Sequence, residues 1–87
     1  MLSASFISVR CRLFARYAEI VGQEEVTLEL RRNTTVGQAV DVLRQRVPNG
    51  DRLPERPMVA VNQEHALAGH VLDDGDEMAL LPPLAGG

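Results

Sequence analysis

One stretch of this 87-residue chain carries a sustained helical period, "TVGQAVDVLRQRV" over residues 35–47. Val36, Ala39, Val40, Leu43 and Val47 recur at the spacing that gathers side chains on one helix face, with Asp41, Arg44, Gln45 and Arg46 on the other. Thr35 at the cap with Gln38 three residues later forms a capping box. Pro48 cannot extend the helix and ends it. One main helix with one apolar stripe must bury that stripe against another layer. The rest of the chain supplies that layer as strands.

In "ISVRCRLF", Ile7, Val9, Cys11 and Leu13 fall on one face, and Ser8, Arg10 and Arg12 on the other, the period of a strand buried on one side. "EEVTLEL" alternates in the same way, with Val26, Leu28 and Leu30 inward. Between them a short helical segment, Ala15 to Val21, stops at Gly22. After the main helix, "PNGDRLPERP" is turn-rich and reads as a surface loop. "MVAVN" is a short strand, "EHAL" a strand fragment, "DDGD" a tight turn and "EMALL" the last strand. In that strand Met78 and Leu80 point into the core, which leaves Leu81 facing outward. The predicted architecture is α+β: a mixed sheet of four to five strands with one main helix packed on one face. Residues 1–87 form a single domain, with 82–87 a projecting tail.

Several functions are excluded by composition. A net charge of −3, a pI near 5.2 and 3% aromatic residues leave no footprint for nucleic acid. No apolar run is long enough to span a membrane. The first twenty residues hold Ser and Arg and no acid before Glu19, as targeting peptides do, but the alternation from Ile7 onward marks a first strand after a short lead-in. A lone cysteine rules out an internal disulfide and a cysteine-built metal site, so a reducing, cytoplasmic setting is expected.

The usual chemistries fail as well. Cys11 shares a face with Val9 and Leu13, where a thiol is an inert apolar group. His65 and His70 lack further ligands at metal spacing and read as solvated loop histidines. "DDGDE" does not match a calcium loop, because Leu81 stands where the bidentate glutamate belongs. Nothing in the chain supplies a nucleophile with its base.

The remaining candidate is the end of the chain, "LLPPLAGG". Without a Cβ, Gly86 and Gly87 can thread a channel too narrow for side chains and leave the terminal carboxyl carbon open to attack. Pro82 and Pro83 fix φ, so that the tail projects instead of folding back. Leu81 and Leu84 are placed to contact a partner that receives it.

These residues resemble a known family. "VNQ" (61–63), "LDDGDEMALLPPLAGG" (72–87) and "LFARYAEIVG" (13–22) are similar to the small, sulfur-carrying subunit of molybdopterin synthase. The likeness spans about Val9 to Gly87 and implies a β-grasp, ubiquitin-like fold. It implies that the Gly87 carboxylate is adenylated by an ATP-dependent activating enzyme and converted to a thiocarboxylate with sulfur from a donor enzyme. The tail then delivers that sulfur to a cyclic pyranopterin in the large catalytic subunit, in a heterotetramer. No cofactor is held stably by the chain itself, and ATP is used by the activating partner. Relatives often carry an arginine where this chain has Ala18, which puts any contact through that side chain in doubt, although Arg16 lies nearby. A sulfur carrier for thiamine thiazole biosynthesis, a ubiquitin-like modifier attached through Gly87, and an interaction module with an inert tail remain alternatives. All nine basic residues are arginine, so no lysine could build chains of such a modifier.

Overall fold

The computed structural model describes residues 5–83. Strand β1 (Phe6–Leu13) leads into helix α1 (Ala15–Val21) and strand β2 (Glu25–Arg31). Helix α2 (Val36–Arg46) follows, then strands β3 (Met58–Val61), β4 (Glu64–Ala66) and β5 (Glu77–Leu81). The sheet order is β2-β1-β5-β3-β4. β1 runs antiparallel to β2 and parallel to β5, and β3 runs antiparallel to both β4 and β5. The sheet is therefore mixed and has five strands, the upper of the two numbers expected.

The alternation read from the sequence sets the faces. Ile7, Val9, Cys11 and Leu13 of β1, Leu28 and Leu30 of β2, and Met78 and Leu80 of β5 are buried in one core with Val36, Ala39, Val40 and Leu43 of α2. Val26 packs at the margin of that core. Both halves of the capping box form: Gln38 N donates to Thr35 Oγ1, and Thr35 N to Gln38 Oε1. The first helical N–H groups, which have no partner inside a helix, find carbonyls on the returning chain. Val36 N donates to His70 O (2.8 Å) and Gly37 N to Ala68 O (2.9 Å). Gly22 closes α1 at φ +85, its N–H donating to Ala18 O.

Two expectations need correction. The stretch 48–57 is not simply a surface loop. It contains a 3₁₀ turn, Gly50–Arg52, and Leu53 is fully buried in the core. Arg44, read as part of the solvated helix face, fastens this turn: Nε donates to Leu53 O (2.9 Å) and Nη2 to Asp51 O (3.3 Å). Asn49 Nδ2 adds a bond to Ile20 O on α1 (3.0 Å). An apolar residue inside a polar loop needs such anchors, because its burial draws backbone carbonyls inward that must then be paired. The second correction concerns His65, which lies in β4 rather than in a loop; it is exposed, as is His70.

Candidate functional site

The candidate site is where the chain leaves the sheet. β5 is the central strand, bonded on one side to β1 and on the other to β3. A strand held on both edges cannot shift register without breaking two ladders. Its start is secured further. The turn before it places Gly75 at φ +86, a conformation glycine adopts without strain. Gly75 N donates to Ser8 O (2.8 Å), Ser8 N to Asp74 Oδ1 (2.7 Å) and Arg10 N to Asp76 O (3.0 Å).

Asp76 is the one buried charged residue among those described. Both its oxygens accept hydrogen bonds, Oδ1 from Asn62 Nδ2 (2.9 Å) and Oδ2 from Asp73 N (2.8 Å). Asn62 sits at φ +51, which Asn tolerates better than most residues, and its side chain reaches across the β3–β4 turn. Its Oδ1 accepts from Glu77 N (3.0 Å), and its own N–H donates to Glu77 O (2.8 Å). The "VNQ" and "DGD" segments thus form one latch that ties the β3–β4 turn to the first residue of β5. Sequence reasoning noted both segments but missed this pairing. The signal available was a polar Asn directly after an apolar strand.

At the far end of β5, Leu80 is buried and Leu81 is half-buried on the opposite face, across from Met58 of β3. The outward placement of Leu81 thus holds, with partial cover from its neighbours. That outer face is mixed. Met58 is 52% exposed and Phe14 37%, while Ala79 and Ala60 oppose each other across the strands. Arg10 and Arg12 flank Glu77, at 3.8 Å and 3.2 Å, and the Arg12 guanidinium lies 5.3 Å over the Phe14 ring. The result is a small apolar surface rimmed by charge at the root of the tail. Met58 and Phe14 were not singled out from the sequence, since a lone exposed apolar residue carries no signal of its own.

Pro82 is half-buried and Pro83 exposed. Together they form one wall of a groove of about 530 Å³ whose other walls are Arg16, Tyr17 and Ile20 of α1 and the Arg52–Pro54 turn. Pro82 and Pro83 thus lie against the α1 end of the core, with Arg16 beside them. Leu84, Gly86 and Gly87, the remaining tail residues proposed from the sequence, lie outside the described residues, as does the lead-in before Ser5.

Cys11 is buried, and desolvation pushes its thiol up from 9.0 to about 12. Its thiolate is therefore not available for chemistry near neutral pH. Among the described residues no cluster of three or more His, Cys, Asp or Glu side chains could hold a metal ion, and no helix is long and apolar enough to cross a membrane.

Comparison with known proteins accords with this geometry. Residues 11–87 match the ThiS family. A molybdopterin synthase sulfur carrier subunit of Mycobacterium tuberculosis is 45% identical over 65 residues, covering 75% of this chain and 76% of that protein. Small archaeal modifier protein 1 of Haloferax volcanii is 37% identical over 84 residues, covering 87% and 97%. The crystal structure of SAMP1 from Haloferax volcanii superposes with a TM-score of 0.79 at 36% identity, over 92% of this chain and 99% of that one. A complex of subunits 1 and 2 of the molybdopterin-converting factor from Helicobacter pylori contains a chain of the same fold, with a TM-score of 0.65 at 22% identity over 93% and 100%. The fold is thus the ubiquitin-like β-grasp, and the chain belongs to the ThiS family, among relatives named as molybdopterin synthase sulfur carriers.

Proposed function

We propose that this chain is the sulfur carrier subunit of a molybdopterin synthase and that the Gly87 carboxylate is its working group. The observation that carries the reading is the exit of the chain: a central strand, locked at its start by Asp76 and Asn62, ends in two prolines beside a partly apolar face. This is the arrangement needed to present a terminus to a partner at a fixed position.

The chemistry follows from the group presented. A carboxylate is a poor electrophile. Attack of a Gly87 oxygen on the α-phosphate of ATP, in an activating enzyme, releases pyrophosphate and leaves an acyl adenylate. Hydrosulfide released by a donor enzyme then attacks the acyl carbon, AMP departs with the C–O electron pair, and loss of the thiol proton leaves a thiocarboxylate. The tail, narrow at Gly86 and Gly87, enters the large catalytic subunit and gives its sulfur to a cyclic pyranopterin. The partners supply the acid–base groups and the electrostatic stabilisation; this chain supplies the substrate group and its address, holds no cofactor stably, and is not itself an enzyme. The large subunit docks on the outer face around Leu81, Met58 and Phe14, with Pro82, Pro83 and Leu84 leading into its tunnel. The setting is cytoplasmic, where both ATP and reduced sulfur donors are at hand.

The test is intact-mass measurement after incubation with the activating enzyme, ATP and a sulfur donor. One carboxylate oxygen is replaced by sulfur at Gly87. Deleting Gly87, or adding one alanine after it, abolishes the product with the fold unchanged; wild-type sulfur gain in either variant refutes the reading. A second reading, a modifier joined to other proteins through Gly87, is favoured by the similarity to the Haloferax small archaeal modifier. It predicts an amide adduct on target lysines in cell extracts in place of the thiocarboxylate.

A further inference from the structure

We propose that two copies of this chain associate edge to edge through β2, in one register set by charge. The sheet has two edges and they differ. β4 is three residues long, a blunt edge that offers little to pair with. β2 runs for seven residues, Glu25–Arg31, and among the described residues no strand lies against its outer side. Its one protection is charge, from Glu25, Glu29 and Arg31 on the outer face; the other devices are missing. It has no proline, its seven residues pair one to one with β1 without a bulge, and its inward residues Val26, Leu28 and Leu30 include no charge.

The direction of its main chain follows from two bonds that bracket it. Leu13 N donates to Glu24 O (2.9 Å), and Arg32 N donates to Ser5 O (3.0 Å). In an antiparallel ladder bonded pairs alternate with non-bonded ones. Val26, Leu28 and Leu30 therefore aim their N–H and C=O groups at β1, while Glu25, Thr27, Glu29 and Arg31 turn theirs outward. The side chains of those same four residues stand on the outer face of the sheet.

A second copy fits this edge with one register above the rest. With a two-fold axis at Leu28, Glu25 lies opposite Arg31 of the second copy, and Arg31 opposite its Glu25. Thr27 and Glu29 oppose each other between them, and all four of these residues turn their main-chain groups outward, as the new ladder requires. Moving the axis to Thr27 sets Glu25 against Glu29, and moving it to Glu29 sets that residue against itself. Both of these registers place like charges directly across the ladder, which is destabilising. An axis at Leu30 sets Glu29 against Arg31 but overlaps the strand only over 29–31, and an axis at Val26 only over 25–27. A one-residue slip sets outward groups against groups already bonded to β1. On the inner side, Val26 meets Leu30 of the second copy, and a groove of about 450 Å³ wraps the edge from Phe6, Glu29 and Arg31 on the outer face to Leu30, Val42 and Arg46 on the inner one. Arg31, now 6.0 Å from the Phe6 ring, reaches Glu25 of the second copy from the same face.

The interface is small, so the association is weak and concentration-dependent. Because the two copies run antiparallel and β5 lies two strands in from the β2 edge, the two β5 strands end at opposite ends of such a dimer, away from its interface. The proposal does not depend on the sulfur-carrier reading.

Sedimentation velocity from about 10 µM to about 1 mM, the range in which a small edge interface associates, gives a mass rising from monomer toward dimer and falling again in high salt. Amide exchange over the same range slows at Glu25, Thr27, Glu29 and Arg31 and is unchanged at Val26, Leu28 and Leu30. Arg31→Glu and Glu25→Arg each weaken association by about tenfold or more, since each turns two attractive pairs into repulsive ones. The double reversal Glu25→Arg with Arg31→Glu restores it. Thermal unfolding confirms that all three variants fold. A protein that stays monomeric throughout, or a dimer indifferent to the single reversals or not restored by the double one, overturns the proposal. In the first case the edge is left to a strand from a different protein.

Discussion

Replacing Asp76 by asparagine tests whether the latch holds β5 in place. The two side chains have nearly the same shape, so packing is preserved and only hydrogen-bond polarity changes. Both Asp76 oxygens accept, one from the Asn62 amide and one from Asp73 N. An asparagine has one acceptor and one donating amide, and either orientation sets an N–H₂ group against another donor. One buried donor thus loses its partner, at about 1–3 kcal/mol. Taking about 2 kcal/mol, the urea midpoint falls by about 1.5 M at an unchanged slope, and Tm falls by about 10 °C. Asp74→Asn is the control. Asp74 accepts a single bond, from Ser8 N through Oδ1, and an asparagine oxygen can still accept it, so the loss stays below about 0.5 kcal/mol. Urea titrations of both variants decide the matter. Equal losses, or an Asp76→Asn loss under about 0.5 kcal/mol, would refute the claim that this carboxylate is what ties the two turns together.

At Gly50 an added Cβ would overlap the main chain of Arg44, so Gly50→Ala should lower stability by about 2 kcal/mol or more in the same titration. Burial raises the Cys11 thiol from 9.0 to about 12; the folded state therefore keeps a proton that the unfolded chain releases. Its contribution is full below pH 9 and is lost between pH 9 and 12, at up to about 1.4 kcal/mol per pH unit. The stability of Cys11→Ala should lack that component of the slope, and alkylation of the wild-type thiol at pH 9.5 should require urea. Leu81→Asp should weaken binding to a large synthase subunit by about 2 kcal/mol or more by calorimetry, as for a central interface residue, and cost little in Tm because Leu81 is off the core face. Gly86→Ala should leave Tm unchanged and slow single-turnover sulfur transfer by about tenfold, with Gly86→Val slower still and Ala85→Val mild; equal tolerance at positions 86 and 85 would remove the steric case for glycine.

The local pattern alone was enough for the two helices, the strands and the apolar faces of β1, β2, α2 and β5, because alternation and capping are properties of neighbouring residues. Thr35 and Gln38 cap α2 with their own side chains, and Met78 and Leu80 are buried by the strand period alone. The family likeness, too, was legible in "VNQ" and "DGDE". What those segments do was not. Asn62 and Asp76 meet only because β3 and β5 are neighbours in the sheet, and a bond between residues so far apart in the chain leaves no periodic trace. The burial of Leu53 under the Arg44 clamp depends likewise on where the 3₁₀ turn lands against α1 and α2. The sheet order made β2 an open edge and β5 a central strand. No single strand's sequence carries that distinction, since it depends on which strands the core brings together.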